Sequence, residues 1–417
     1  MIRRRNNSAR PSIPASQSSS ITTDLITYFR LIVYSKSTYY ASNQTVPCWL
    51  LPSDAAQDLV SISPYKPTLP VTSNASLNVE PPLCVDLDGT LLRTDSLLEG
   101  VLAMARAGDA ALLQTPLWLL RGRAFLKDQV AQRAELDPSA LPYNEELLAY
   151  LRQQHATGRR IVLATGANHR IASCIAAHLG IFNQVIAGDD HSCMTGRQKC
   201  ERLQQEFAVG GFDYAGNSDV DLTVWKAARK AVVVNCSRSV AERARSANNV
   251  EREFDDRPPT LRTWLRALRI HQWSKNLIVF LPVIASHQIF VAEVVARAVL
   301  MFACFCMMAS GTYMLNDLLD MAVDRQHTLK KHRPFAAGDL DIRWGIVLVP
   351  VLTVAALALA LLLPAGATAL LTVYFVTTLA YSFRLKRVML IDVFVLASLY
   401  TIRLVAGHAA TGVRYSH

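Results

Sequence analysis

The sequence predicts a soluble α/β domain, a doubly wound parallel sheet with a helical cap, followed by an all-α bundle of about five membrane spans. Three observations carry this reading. Short apolar runs alternate with helical stretches between Leu83 and about Arg245. Long apolar runs follow one another after about residue 277. Hydrophobic content of 51% and a mean hydropathy of +0.20 are high for a soluble chain of 417 residues. The net charge of +10 fits positive-inside topology and phosphate binding. No zinc-finger, RNP or basic-zipper pattern accompanies it, so no nucleic-acid partner is expected. The eight cysteines, among them Cys84, Cys174, Cys193, Cys200, Cys236, Cys304 and Cys306, show no CxxC spacing and read as reduced packing residues.

Residues 1–80 are rich in Ser, Thr, Asn and Pro, open on Arg3-Arg4-Arg5, and are expected to be a disordered, low-complexity extension. Their apolar stretch Leu25 to Tyr34 is interrupted by Arg30 and lacks a small-residue cleavage site, which argues against a secretory signal. In the α/β domain, 81–247, buried strands are read at 83–87, 160–164 and 231–234. The insert from Leu97 to about Ala140 is helical and should cap the carboxyl ends of the strands, where such folds bind ligands. A charged linker, 248–260, ends in Pro258-Pro259. The membrane half, 261–417, has apolar runs at about 277–290, 294–315, 344–363, 367–383 and 388–411. Arg262, Arg266, Arg269 and Lys275, then Arg325 through Arg343, then Arg384, Lys386 and Arg387 fall in alternate loops. The Leu363-Pro364-Ala365-Gly366 turn between them is uncharged. This places the chain in the cell's inner membrane, with the α/β domain on the cytosolic side.

Asp86-Leu87-Asp88-Gly89-Thr90 closes the first strand. An Asp at a strand end can attack phosphorus, a second Asp two residues on can protonate the leaving group, and Gly-Thr lets the backbone turn against a phosphate. The motif resembles the first signature of the haloacid dehalogenase (HAD) superfamily. Thr165 in Leu163-Ala164-Thr165-Gly166, then Lys199, then Gly216-Asn217-Ser218-Asp219-Val220-Asp221 resemble its later signatures in order. The resemblance implies catalytic Asp86 and Asp88, phosphate contacts from Thr165 and Lys199, and Mg²⁺ held by Asp86 and Asp221. Asn217 stands where that family has Asp, which removes a negative charge from the metal site.

In the membrane half, Asp317, Asp320 and Asp324 are spaced i, i+3 and i+7, so a helix puts them on one face. Their mutual repulsion favours a divalent cation, and Mg²⁺ held this way takes its remaining ligands from water and phosphates. Arg325, His327, Lys330, Lys331 and Arg333 lie just behind and can meet the same phosphates. The pattern suggests diphosphate chemistry on a membrane-borne substrate; a solvated loop marking the cytosolic side is the plainer alternative. Asp392 and Arg403 lie in the fifth apolar run, where ionisable groups are functional suspects because burying them unpaired is costly.

The run from Asn316 to His327, with that from Lys330 to Gly338, resembles the first aspartate-rich signature of the UbiA superfamily of intramembrane prenyltransferases. Gln272-Trp273-Ser274-Lys275-Asn276 and Tyr381-Ser382-Phe383-Arg384-Leu385-Lys386 resemble two further segments of that family. The resemblance implies Mg²⁺ on Asp317, Asp320 and Asp324, with substrate contacts drawn from Lys275, Asn276, Asn316, Lys330, Arg333, Lys386 and Arg403. An interfacial anchor is the simpler role for Trp273, and a snorkelling cation for Lys386. The arrangement of these segments is similar to the branch of decaprenyl-phosphate phosphoribosyltransferases. That implies a phosphoribosyl diphosphate donor and a polyprenyl phosphate acceptor; a polyprenyl diphosphate donor with an aromatic acceptor stays open. The family carries a second aspartate-rich motif in later spans, so this chain, running to Arg414-Tyr415-Ser416-His417, is expected to hold only the front part of that domain. A membrane-tethered HAD-type phosphatase and a non-catalytic remnant are the alternative functions.

Overall fold

The computed structural model describes residues 80–188, 194–258, 260–383 and 389–412. The amino-terminal extension, Cys193, Lys386 and the side chain of Asp392 lie outside the described residues.

Among the described residues six strands, β1 (Leu83–Val85), β2 (Ile161–Asn168), β3 (Gln184–Gly188), β4 (Asp213–Gly216), β5 (Ala231–Val234) and β6 (Val250–Phe254), form one sheet in the order β3-β2-β1-β4-β5-β6. Every pairing is parallel, with Val85 between Leu163 and Ala215. Successive side chains alternate between two cores. Leu83, Val85, Ile161, Leu163, Val232 and Val234 enter one, and Cys84, Val162, Ala164, Tyr214 and Val233 the other. Both faces being covered, the strands read as unbroken apolar runs, and each fully buried Leu, Ile or Val stabilises by about 1.5–3 kcal/mol. The strand order reverses at β1, so the crevice of the fold opens beyond Val85, where Asp86 stands.

Three strands escaped the sequence reading. β4 opens on the buried Asp213, whose carboxylate is satisfied by Arg159 and Arg229. β3 is only partly buried, and β6, Val-Glu-Arg-Glu-Phe, is an edge strand with three exposed charged residues. β6 corrects the domain boundary, since it pairs with β5 inside the segment read as linker.

The expected cap is present as helices Ser96–Ala107, Thr115–Leu120 and Arg123–Arg133. Asp95 caps the first by accepting from the amides of Leu97 and Leu98, and Gly108 ends it in the left-handed region at φ 72°. Lys127 Nζ donates to Gly166 O at 2.6 Å and ties the cap to the end of β2.

Among the described residues, four helices are long and apolar enough to cross a membrane: Ala292–Gln326, Ile342–Ala360, Ala365–Phe383 and Met389–Thr411. The expectation of about five is corrected at the first run, which divides into a 3-10 stretch Ile270–Phe280 and a short helix Leu281–Ala285. Left-handed residues Arg269 (φ 50°) and His287 (φ 57°) bracket it, and Pro282 sits where the short helix begins. The 35-residue helix Ala292–Gln326 is about 52 Å long against about 30 Å of bilayer hydrocarbon. Val279, Met301, Phe305, Ala356, Leu371 and Ala406 share the core of the bundle.

Candidate active site

At the crevice of the α/β domain, Asp86 Oδ1 lies 2.9 Å from Lys199 Nζ and accepts the Leu87 amide at 2.9 Å. Lys199 donates to Tyr214 Oη at 2.9 Å, and Tyr214 Oη donates to Asp221 Oδ1 at 2.9 Å. Burial raises the Asp86 pKa, while Lys199 pulls it back. Burial works against the Lys199 charge, but Asp86 and Asp221 outweigh it and lift its pKa. Asp88 is pushed up to about 7, by burial first and by the Asp95 carboxylate second, against the Ser96 amide that donates to it at 2.8 Å. Thr165 is buried behind them and accepts the Ala167 amide at 3.0 Å. Asp86, Lys199 and Asp221, from three separate motifs, thus stand within one network. Tyr214, which joins two of them, was missed; its only trace in the sequence is its place two residues before Gly216.

The metal expected here fits less well. Asp221 Oδ2 accepts the amides of Asn217 and Ser218 and the Ser218 hydroxyl, each at 3.0 Å, and Oδ1 accepts Tyr214. Asp221 thus holds the loop, and the neighbouring position offers the neutral amide of Asn217. Gly89, at φ 75°, is required there: a Cβ would come within 2.1 Å of Asn217 Nδ2.

At the end of the long helix, Asp317 and Asp324 are buried with 2% exposure each. Arg333, returning from the following loop, donates from Nη1 to Asp317 Oδ1 at 3.1 Å and to Asp324 Oδ2 at 2.6 Å. Arg269 also pairs with Asp317. In the sequence Arg269 stands out only as a charge that sets topology. The two carboxylates therefore converge on a single cationic nitrogen, which is what a divalent-cation site asks of them. Asp320, between them, is half-buried. Among the described residues, no group of three or more His, Cys, Asp and Glu gathers at metal distance in this conformation.

Beside this cluster a cavity of about 200 Å³ is lined by Lys275, Tyr313, Asn316, Tyr374, Tyr400 and Arg403. Asn316 Oδ1 is buried without a partner. The guanidinium of Arg269 lies 5.0 Å from the ring centre of Tyr313, so cavity and carboxylates adjoin. Arg403 donates from Nε to Asn276 Oδ1 and from Nη2 to Tyr374 Oη, each at 2.9 Å. Asn276 is thereby a support for Arg403, fully buried, while Lys275 stands at the cavity edge. Lys330 is exposed in the 3-10 turn Lys330–His332. Trp273 donates to Ser310 Oγ at 3.0 Å instead of only facing an interface.

Fold and site define a two-part membrane protein, an α/β domain with an acidic crevice ahead of a helical bundle that carries an aspartate-rich end. Residues 83–224 match the haloacid dehalogenase-like hydrolase family, and residues 278–416 match the UbiA prenyltransferase family. The chain thus joins an amino-terminal HAD domain to a UbiA-family domain. It is 37% identical over 337 residues to Uncharacterized protein y4nM of Sinorhizobium fredii, covering 80% of this chain and 65% of that protein. It is 34% identical over 156 residues to Decaprenyl-phosphate phosphoribosyltransferase of Mycolicibacterium smegmatis, covering 36% of this chain and 49% of that protein. The chain therefore spans about two thirds of the first relative and about half of the second. Among solved structures, a protein of unknown function from Bordetella pertussis Tohama I is similar, with 21% identity and a TM-score of 0.32, covering 40% of this chain and 97% of that one.

Proposed function

We propose that the UbiA-family half catalyses a Mg²⁺-dependent transfer from a diphosphate-activated donor to a lipid, with phosphoribosyl diphosphate as donor and polyprenyl phosphate as acceptor. The observation that carries this is the convergence of Asp317 and Asp324 on one cation beside a cavity that already holds Arg403 and Lys275. The likeness to decaprenyl-phosphate phosphoribosyltransferase supports the choice of donor. A polyprenyl diphosphate donor with an aromatic acceptor is the competing pair.

Asp317, Asp320 and Asp324 would hold the magnesium. Bound there, it would neutralise charge growing on the departing diphosphate. Arg333 and Arg269 exchange their carboxylate partners for diphosphate oxygens as the donor arrives, two guanidinium forks suited to that geometry. Lys275 meets the same anion at the cavity edge. Arg403, fixed by Asn276 and Tyr374, offers its charge to the acceptor phosphate. Asn316 Oδ1 accepts a hydroxyl of the sugar, which gives the lone buried oxygen its partner. The reaction side faces the cytosol of the inner membrane, where the positive loops lie.

The test uses the full chain in lipid nanodiscs with sugar-labelled phosphoribosyl diphosphate, polyprenyl phosphate and Mg²⁺. Label should enter the lipid phase and cease to do so on chelation. Label that stays in water while a labelled polyprenyl diphosphate reacts with an aromatic acceptor would overturn the donor assignment.

A further inference from the structure

We infer that the HAD domain is a positioning part of the membrane site, with Glu99 of its cap helix holding the aspartate-rich segment through Arg325. The inference rests on the reading above and assigns the HAD fold a task separate from its own chemistry.

Arg325 follows Asp324 directly. Its guanidinium grips Glu99 with two bonds, Nη1 to Oε2 at 3.0 Å and Nη2 to Oε1 at 2.6 Å, and the two side chains are only 8% and 5% exposed. Its Nε donates to Ala336 O at 2.8 Å. One side chain thus joins the HAD cap, the last turn of the acidic helix and the loop that brings Arg333 back.

That loop is held on its outer side by the same domain. Arg93 donates to Ala337 O at 3.3 Å and pairs with Asp339 at 3.4 Å; Arg343 pairs with Asp95 at 2.8 Å. Gly338, at φ 73°, lies so close that a Cβ would sit 2.6 Å from Arg93 Cβ. The cap helix is in turn anchored at the crevice, because Asp88 accepts the Ser96 amide and Asp95 caps its first turn. Hydrogen bonds therefore lead from the crevice to the residue next to Asp324: Asp88, the helix Ser96–Ala107 with Glu99, and Arg325.

A buried, bidentate pair is poor evidence for extra stability, since a well-packed apolar pair does as well. Its value lies in fixing geometry. Around metal and phosphate sites, outer partners that orient the groups in contact with the ligand change affinity or activity by about 10–100-fold when removed. Glu99 acts one step further out: it holds Arg325, which adjoins Asp324 in the helix and donates to Ala336 O in the loop that carries Arg333.

The test compares the full chain with Glu99→Gln, Glu99→Asp, and Glu99→Arg combined with Arg325→Glu, all in nanodiscs. Inorganic diphosphate with Mg²⁺ is the binding probe, and amide hydrogen exchange across 333–341 is read without any ligand. Glu99→Gln should weaken diphosphate binding, and raise the donor KM, by about tenfold with a smaller change in kcat. It should also speed exchange in the loop, while Glu99→Asp keeps most of the affinity and the reversed pair regains part of it. Wild-type loop exchange in Glu99→Gln overturns the inference, whatever the transfer assay gives. A wild-type chain that binds no diphosphate would overturn the transferase reading instead, and the exchange result would still decide the clamp.

Discussion

Asp317 and Asp324 lie two helical turns apart, yet both accept from Arg333 Nη1, at 3.1 and 2.6 Å. Two buried carboxylates tied by one nitrogen form a site in which the guanidinium fills the position of a cation. Removing Arg333 leaves Asp324 without that countercharge while Asp317 keeps Arg269. Arg333→Ala should therefore lower stability by about 3 kcal/mol. Mg²⁺ should restore a larger part of the melting temperature in the variant than it adds to the wild type, because the ion binds the folded chain alone. Melting curves with and without Mg²⁺ measure both effects; an equal Mg²⁺ shift in the two proteins would refute the shared position.

Asp317→Asn and Asp324→Asn should each reduce lipid transfer by at least about a hundredfold, since each removes a negative ligand from the magnesium that would neutralise the departing diphosphate. Asn keeps shape and part of the hydrogen bonding, so melting should change little. Retained turnover in either variant counts against the carboxylates as the magnesium site.

How far the sequence reveals these features depends on the range of the interaction. Spacing alone put Asp317 and Asp324 on one face, and motif order brought Asp86, Asp88, Thr165 and Lys199 to one crevice, because both follow from local geometry. The partners Arg269, Tyr214 and Glu99 were illegible. Arg269 and Glu99 are chosen by packing between segments distant in sequence, 48 positions for Arg269 and Asp317 and 226 for Arg325 and Glu99, while Tyr214, 7 positions from Asp221, lies on a strand that opens on a charged residue and so gave no apolar run to read. Hydropathy overcounted the spans for a related reason. It registers the apolar composition of 277–290 but not the left-handed turns at Arg269 and His287 that break the segment.

The crevice of the HAD domain should be a poor phosphatase that one atom improves. Asn217→Asp places a carboxylate where an amide now faces Gly89. Mg²⁺-dependent hydrolysis of p-nitrophenyl phosphate should rise by about tenfold. Equal rates for the two proteins would mean that Asn217 does not limit this site.

Asp339 is raised above the ordinary carboxylate range, chiefly by burial, while Arg93 pulls it down. A carboxylate with a raised folded pKa binds more protons in the folded than in the unfolded chain, so stability falls as pH rises through that window. Arg93→Met removes the opposing cation, moves the folded pKa higher and steepens the fall. Melting temperatures between about pH 4 and pH 8 should diverge from the wild type progressively toward the alkaline end, and Asp339→Asn added to Arg93→Met should remove the divergence.

Arg403 sits at the edge of the membrane cavity with Asn276 and Tyr374 as its side-chain acceptors. Tyr374→Phe removes one of them but leaves the charge and most of the volume. The lost bond to a charged donor costs about 1.5–3 kcal/mol, partly offset where Nη2 turns toward the ligand. If Arg403 receives the acceptor phosphate, freeing Nη2 alters the lipid's KM while leaving the KM of the water-soluble donor in place, and Arg403→Leu removes use of the lipid altogether. Steady-state kinetics with each substrate varied in turn separates the two. A change confined to the donor KM would move Arg403 to the diphosphate side of the cavity, beside Lys275.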